Sequence, residues 1–304
     1  SIEQRLIKLT DQSSIPIISI LGSCTDSNLV KKVFRENMVD IVFHAAAYKH
    51  VPLVEKNPIV GITNNVLSTR VVCQESLNNG IKKFILISTD KAVRPSNVMG
   101  ATKRLSELIV QGYALDQKTN KINSKQTLFS MVRFGNVLGS SGSVVPHFEK
   151  QIANGGPITL THEKVVRYFM TIKEAAQLVI QSSVLSDGGD VFLLDMGEPI
   201  LIKDLAMQMI NLSGLTIKDT DNPKGDIEII CTGLRPGEKL YEELLIENNS
   251  ISTIHPLIFR AHENCINTNI LWPTLNKLEK NIIAKHDKES IKILKELIPE
   301  WKSS

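Results

Sequence analysis

Short apolar, β-branched runs alternate with amphipathic stretches through the first half of the chain. Pro16–Leu21, Asp40–His44, Lys83–Ser88 and Thr127–Arg133 each predict a strand, and helices are predicted over Ser27–Asn37 and Pro58–Asn79. Between the last two strands, Leu105, Leu108, Ile109, Gly112 and Leu115 share one face of a helix, the period of an element packed on a sheet. Nearly continuous apolar strands separated by helices predict an α/β fold, a doubly wound parallel sheet covered on both faces. Ligands of such sheets bind at the carboxyl ends of the strands. Attention therefore falls on the residues after Phe43, Ser88 and Arg133.

The second half is less regular and predicts a smaller α/β substrate lobe. A helix over Ile172–Leu185 and a strand over Asp190–Leu194 are expected to return to the main sheet. Asp226–Cys231 and Glu238–Leu245 are expected in the lobe, and Asp287–Trp301 forms an amphipathic helix through Ile291, Leu294, Leu297 and Ile298. This stripe suits core or a subunit contact. The expected division is a sheet domain over 1–140 with 172–195, a lobe over 141–171 and 196–285, and a C-terminal helix over 286–304.

The chain opens on a helix-like segment, Ser1–Lys8. A nucleotide-binding sheet begins instead with a strand, a glycine-rich turn and a helix whose amino end receives a pyrophosphate. The first βα unit is therefore expected to lie outside this sequence, since a sheet lacking it would carry an unpaired interior edge. The one glycine cluster, Gly135–Gly142, has the wrong spacing for that turn and follows a late strand, so it is read as a substrate loop.

Composition narrows little. Hydrophobic residues make up 42% and charged residues 22%, with a net charge of +3, so no nucleic-acid or membrane partner is signalled. The four cysteines form no C-x-x-C pair, which argues against a disulfide framework or zinc site and for a cytoplasmic setting. His44, His147, His162, His255, His262 and His286 show no metal-ligand spacing and are read as structural; no metal is expected.

The chemistry lies after the third strand. Thr89-Asp90-Lys91 places a hydroxyl, an acid and an amine in a row, and Met99 stands four residues before Lys103 at the start of the next helix. Four-residue spacing puts both on one helix face. The arrangement resembles the extended short-chain dehydrogenase/reductases, whose active-site helix carries Tyr-x-x-x-Lys. Here Met99 stands at the tyrosine position, and a thioether cannot take a proton.

His44–Pro52 is similar to that family's alanine-rich cofactor loop, and Asn64–Thr69 to a helix motif that braces neighbouring strands. Arg133–Pro146, Arg167–Thr171 and Arg235–Glu243 extend the resemblance to the UDP-N-acetylglucosamine 4,6-dehydratases of bacterial polysaccharide and glycan biosynthesis. Methionine at position 99 resembles the large, membrane-tethered branch of these enzymes.

The resemblance implies a Rossmann-like NAD-binding domain, with NADP left open, acting on a UDP-sugar. It further implies a homo-oligomer, reaching a membrane only through a region before this chain. Ser23, Ala45, Ala46, Ala47 and Lys103 are the implied cofactor contacts. Lys49, His50, Asn136, Ser143, Val144, Arg167, Arg235 and Glu238 are the expected substrate contacts; Arg235, in Arg-Pro-Gly-Glu-Lys, suits clamping a diphosphate.

By the same resemblance, hydride leaves carbon-4, water is lost across carbons 5 and 6, and hydride returns to carbon-6. Thr89 contacts the carbon-4 hydroxyl, Asp90 protonates the leaving hydroxyl and Lys91 removes the carbon-5 proton. At neutral pH each begins in the wrong form, since Asp titrates near ~3.9 and Lys near ~10.4. Burial and the positive charges of Lys103 and oxidised nicotinamide are expected to lower Lys91. The competing readings are a nucleotide-sugar 4-epimerase, against which Asp90-Lys91 argues, and a non-catalytic sugar-nucleotide-binding module.

Overall fold

The computed structural model describes residues 2–10, 15–119, 126–140, 142–243, 250–261, 263 and 265–302. Its first half runs α1 (Ile2–Thr10), α2 (Ser27–Glu36), β1 (Ile41–His44), α3 (Val51–Lys56), α4 (Pro58–Ile62), a π-helical turn (Thr63–Leu67) and α5 (Ser68–Asn79). Next come β2 (Lys83–Ile87), a 3-10 turn (Asp90–Ala92), α6 (Val98–Thr119) and β3 (Leu128–Arg133). The middle comprises β4 (Asn136–Val137), α7 (Val144–Ala153), β5 (Ile158–Leu160), β6 (Val166–Arg167), β7 (Phe169–Met170), α8 (Ile172–Val184) and β8 (Asp190–Leu194). The remainder is β9 (Ile200–Leu201), α9 (Ile202–Leu212), β10 (Ile217–Lys218), β11 (Ile227–Cys231), β12 (Ser250–Ser252), β13 (Ile258–Ala261), α10 (Thr268–Ile283) and α11 (Asp287–Leu297).

The central sheet has six strands in the order β1-β2-β3-β8-β13-β12. The first four are parallel, and β13 and β12 close the edge antiparallel. The fold is thus α/β with a mostly parallel sheet. Phe84, Leu86, Phe129 and Met131 face the larger core, shared with α5, α6, α10 and α11, whereas Ile85, Val132 and Phe192 meet α8 on the opposite face. Burying each such side chain contributes roughly 1.5–3 kcal/mol, which makes this sheet a rigid platform.

Two expectations are corrected. Pro16–Leu21 forms no strand: Ile18 and Leu21 are exposed and the described part of the segment pairs with nothing. An apolar β-branched run becomes a strand only when a neighbour supplies backbone partners, which local pattern cannot report. The second correction concerns residues 196–285, expected wholly in the lobe. β12 and β13 join the central sheet, and Leu271, Leu275 and Leu278 of α10 enter its main core. Gly112 permits this approach, because a Cβ there would lie 2.9 Å from both Leu271 and Trp272 side-chain atoms. Trp272 Nε1 then donates to Asp116 Oδ2 at 2.7 Å.

The lobe proper is built on a three-stranded parallel sheet, β10-β11-β5, with α7 and α9 packed around Phe148, Ile158, Ile210 and Ile227. No helix among the described residues is long and apolar enough to cross a membrane.

Candidate active site

A cavity of about 820 Å³ opens between the carboxyl ends of the central strands and the lobe. That size suits a dinucleotide's reactive end together with a sugar nucleotide. Its floor is the end of β2 and the start of α6. Thr89 caps the 3-10 turn by accepting from the Lys91 amide at 3.4 Å, and its own hydroxyl donates to Asp90 Oδ1 at 2.8 Å. Lys91 Nζ lies 3.0 Å from the same oxygen. Gly100 allows α6 to meet this turn: a Cβ there would stand 2.2 Å from the Lys91 carbonyl oxygen.

Met99 and Lys103 line the cavity one helical turn apart, as their spacing predicts, and both are buried. Lys103 Nζ donates to the Ile87 carbonyl at 2.7 Å, and burial pulls its pKa down to about 8, with Glu107 opposing. A buried ammonium held on a backbone carbonyl keeps further N–H donors for a ligand. Ala45 and Ala47 line the same wall and offer close backbone approach. Lys103 and these alanines fit the nicotinamide ribose of a dinucleotide. Ala46 and Ser23 are not brought to the cavity; the Ser23 hydroxyl is instead 2.8 Å from Thr25 Oγ1 at an exposed turn.

Lys49, His50, Asn136, Ser143 and Val144 all reach the cavity wall. Ser143 precedes α7, and its Oγ is buried without a hydrogen-bond partner among the described residues. Such an orphan costs free energy unless a ligand meets it. Asn65, from the π-helical turn, accepts from the Tyr48 amide at 2.7 Å and donates to Thr102 Oγ1 at 2.9 Å, fixing the 45–50 loop against α6. π-helical turns recur at functional sites because they re-aim one side chain.

The opposite wall is the 235–243 loop. Arg235 is exposed at the cavity mouth, while Glu238 accepts from Thr161 Oγ1 at 2.8 Å and from the Arg235 amide at 3.1 Å. Arg167 is a strut more than a free hand. Its guanidinium donates to the carbonyls of Val166, Lys239 and Leu240 at 2.7–3.0 Å. Gly237, at φ +73°, accepts from Ser96 Oγ at 2.6 Å and Asn97 Nδ2 at 3.0 Å, which staples the wall to the floor.

Three features escape local sequence reading. Glu242 lines the cavity, with Oε1 3.6 Å from Lys91 Nζ. His147, read as structural, also lies on the wall, with Nε2 3.5 Å from Thr159 Oγ1. Beneath the floor, Glu107 accepts from Ser88 Oγ at 2.6 Å and from Arg133 Nε at 2.7 Å, while Arg104 and Arg133 share Glu263. Arg133 and Arg104 hold Glu107 at about 2 against the upward push of burial.

Of the other histidines, His44 is buried against Thr69 Oγ1 at 3.2 Å, and burial lowers it to about 3. His162, His255 and His286 bond within their own loops, and His262 lies outside the described residues. No cluster among the described residues is suited to a metal ion.

The expected lowering of Lys91 is also corrected. Burial does oppose its ammonium, but the carboxylates of Asp90 and then Glu242 outweigh burial and Arg167, so its pKa is raised. At neutral pH Lys91 rests protonated.

Known proteins resemble this chain over most of its length. The chain is 49% identical over 256 residues to the capsular polysaccharide biosynthesis protein CapD of Staphylococcus aureus, covering 84% of this chain and 40% of CapD. It is 34% identical over 231 residues to the inverting UDP-N-acetylglucosamine 4,6-dehydratase of Campylobacter jejuni, 76% of this chain and 63% of that protein. A UDP-glucose 4-epimerase of Rickettsia rickettsii is 36% identical over 207 residues, 68% of this chain and 56% of the epimerase.

Among solved structures, Pen from Bacillus thuringiensis matches with a TM-score of 0.73 at 30% identity, covering 90% of this chain and 86% of Pen. The dTDP-glucose 4,6-dehydratase DesIV of Streptomyces venezuelae, with NAD bound, shares the fold with a TM-score of 0.63 at 18% identity, over 79% of this chain and 74% of DesIV. The chain thus spans two fifths of CapD's length and about three fifths of the Campylobacter enzyme. A family model described as polysaccharide biosynthesis protein matches residues 1–263, and the chain belongs to that family.

Proposed function

We propose that the chain is the catalytic part of an NAD-dependent 4,6-dehydratase that converts UDP-N-acetylglucosamine to its UDP-4-keto-6-deoxy derivative for surface polysaccharide synthesis. The observation that carries this reading is the grouping of Thr89, Lys91 and Lys103 on one cavity floor, with Asp90 bonded to the first two behind it, facing Arg235 and Glu238 across the cavity. Asp90 is buried, and it is reached along the Thr89 hydroxyl and the Lys91 ammonium to which it is bonded. Bound against Ala45, Ala47 and Lys103, NAD would accept hydride from carbon-4 and return it to carbon-6.

The residues divide the proton work. Thr89 receives the carbon-4 hydroxyl and hands its proton towards Asp90, to which it is already bonded. The carbon-4 ketone acidifies the carbon-5 proton, so an amine suffices to remove it, while Asp90 supplies the proton that lets the carbon-6 hydroxyl leave as water. Met99 packs beside the reacting centre and moves no proton. Arg235, Ser143 and the wall loop hold the nucleotide, an orientation worth more than any one bond because it fixes the reacting carbons over the floor.

A 4-epimerase reading draws support from the Rickettsia relative. Epimerisation returns hydride to carbon-4 and leaves Asp90 without a leaving group to protonate. Mass spectrometry of UDP-N-acetylglucosamine after incubation with the full-length protein separates the two. Dehydration predicts loss of one water; unchanged mass with a new configuration at carbon-4 would replace this reading with epimerisation.

A further inference from the structure

Lys91 stands between two carboxylates that come from different parts of the fold. Asp90, in its own turn, is 3.0 Å away, and Glu242, from the wall loop, is 3.6 Å away with a side chain only 5% exposed. Arg167 Nη2 lies 3.9 Å from Glu242 and 3.7 Å from Glu238, and Lys103 faces the same cavity from α6. At 3.6 and 3.9 Å, the contacts of Glu242 with Lys91 and Arg167 are too long to be hydrogen bonds. Its Oε2, like Asp90 Oδ2, is buried with no hydrogen-bond partner among the described residues.

The position of Glu242 is set by its backbone. Arg167 ties down the carbonyls of Lys239 and Leu240, and the Gly237 staple holds the loop further back. A buried carboxylate placed by its neighbours, with one oxygen that no described donor meets, can receive a proton from the ammonium beside it.

We propose that Glu242 is the proton partner of Lys91, a positioning residue that takes the ammonium proton and so leaves Lys91 neutral for carbon-5. This rests on the dehydratase reading for its chemistry, and the proton count then closes. The resting site holds protonated Lys91 between the Asp90 and Glu242 carboxylates. Oxidation at carbon-4 sends the hydroxyl proton through Thr89 to Asp90, as hydride leaves for the nicotinamide dinucleotide. Lys91 passes its proton to Glu242: one N–H bond breaks and one O–H bond forms.

Lys91 then takes the carbon-5 proton, and Asp90 gives its proton to the departing carbon-6 hydroxyl, which leaves as water. Hydride returns to carbon-6, Lys91 restores the carbon-5 proton, and Glu242 hands back the proton it held. Glu242 is the described carboxylate that lies beside Lys91 once Asp90 is protonated, 3.6 Å from its Nζ.

Two variants of the full-length protein test this, Glu242→Gln, which keeps shape but cannot take the proton, and Glu242→Asp, which can. Carbon-5 exchange with deuterated water is expected to slow about a hundredfold in E242Q, within the range for losing a proton-transfer group, while carbon-4 oxidation persists. E242D is expected to recover most of that loss, which a purely space-filling role would not require. A second readout needs no turnover: the pH dependence of Lys91 acylation by an amine reagent, read by peptide mass spectrometry. Removing the Glu242 charge is expected to move that curve to lower pH. E242Q exchanging carbon-5 at the wild-type rate, or an unmoved labelling curve, overturns the proposal. A wild-type protein that never releases water from the sugar nucleotide overturns the dehydratase reading instead, and the labelling curve still decides whether Glu242 governs Lys91.

Discussion

The floor and the far wall of the cavity are built by opposite means. The floor is the end of a central strand and the first turns of a long buried helix. Beneath it, Glu107, Arg104, Arg133 and Glu263 form a charge network that is almost entirely out of water. The wall is a loop with no regular structure between Thr232 and Glu243, pinned at Gly237 and by Arg167, with Arg235 exposed. Chemistry needs groups held to fractions of an ångström, and a satisfied buried network on a sheet provides that. Nucleotide capture needs a surface that can admit and release a ligand, and loops provide that. Glu242 links the two regions, with its Oε1 3.6 Å from Lys91 Nζ.

The largest test of this contrast is Lys91→Met. It removes an amine from the floor, and its 3.6 Å contact to Glu242, while leaving Arg235 and Glu238 in place, so dehydration should fall about a thousandfold with nucleotide binding kept. Steady-state kinetics with a UDP-binding titration separates the two terms. A variant exchanging the carbon-5 proton at the wild-type rate would remove Lys91 from the base role.

Glu107→Gln strikes the floor's support instead. Breaking one member of a buried ion network costs roughly 3–5 kcal/mol, readable as a lower midpoint in urea unfolding. The pH dependence follows from Glu107, held at about 2 against an ordinary 4.5. A carboxylate lowered on folding stabilises above 4.5, and that contribution drains away as pH falls towards 2. His44, lowered by burial to about 3 from 6.5, adds to the same loss: between those values the unfolded chain takes up a proton that the folded one refuses. E107Q should therefore flatten the acid limb below 4.5 and leave the His44 portion.

Gly237→Ala probes the pin between the two regions. A Cβ there meets Asn97 Cβ at 2.7 Å on a backbone at φ +73°, so the loop must shift. The expected outcome is a rise in KM for the sugar nucleotide of roughly three- to tenfold with a smaller change in kcat, the pattern of lost uniform binding. An equal fall in kcat alone would place the loop's contribution in the chemical step. The smallest effect belongs to Met99→Leu, a volume-conserving change costing under about 1.5 kcal/mol, with activity falling less than tenfold. A larger loss would give the thioether a role beyond packing.

How much of this was legible in the sequence follows the same division. The floor was readable because its parts are local: Thr89, Asp90 and Lys91 are consecutive, and Met99 and Lys103 share a helix face by simple periodicity. Strands β1, β2, β3 and β8 were readable from apolar runs, which burial on both faces explains for β2, β3 and β8, whereas Ile41 and Phe43 of β1 are exposed. The contact between Lys91 and Glu242 spans about 150 residues of chain, and Glu263 meets Arg104 and Arg133 across 159 and 130 residues, so no window of sequence contains either. Pro16–Leu21 failed for the complementary reason: its residues suit a strand, but strand formation is decided by a neighbour. The reassignment of α10 and of β12–β13 to the main core likewise depends on packing against Gly112 and β8, which periodicity alone does not locate.

The central claim is that one cavity both oxidises carbon-4 and expels the carbon-6 hydroxyl. UDP-N-acetylglucosamine labelled with deuterium at carbon-4, turned over by the full-length protein and followed by NMR and mass spectrometry, tests it most directly. The expected product is one water lighter and carries the label at carbon-6. Label retained at carbon-4, with no water lost, would contradict it.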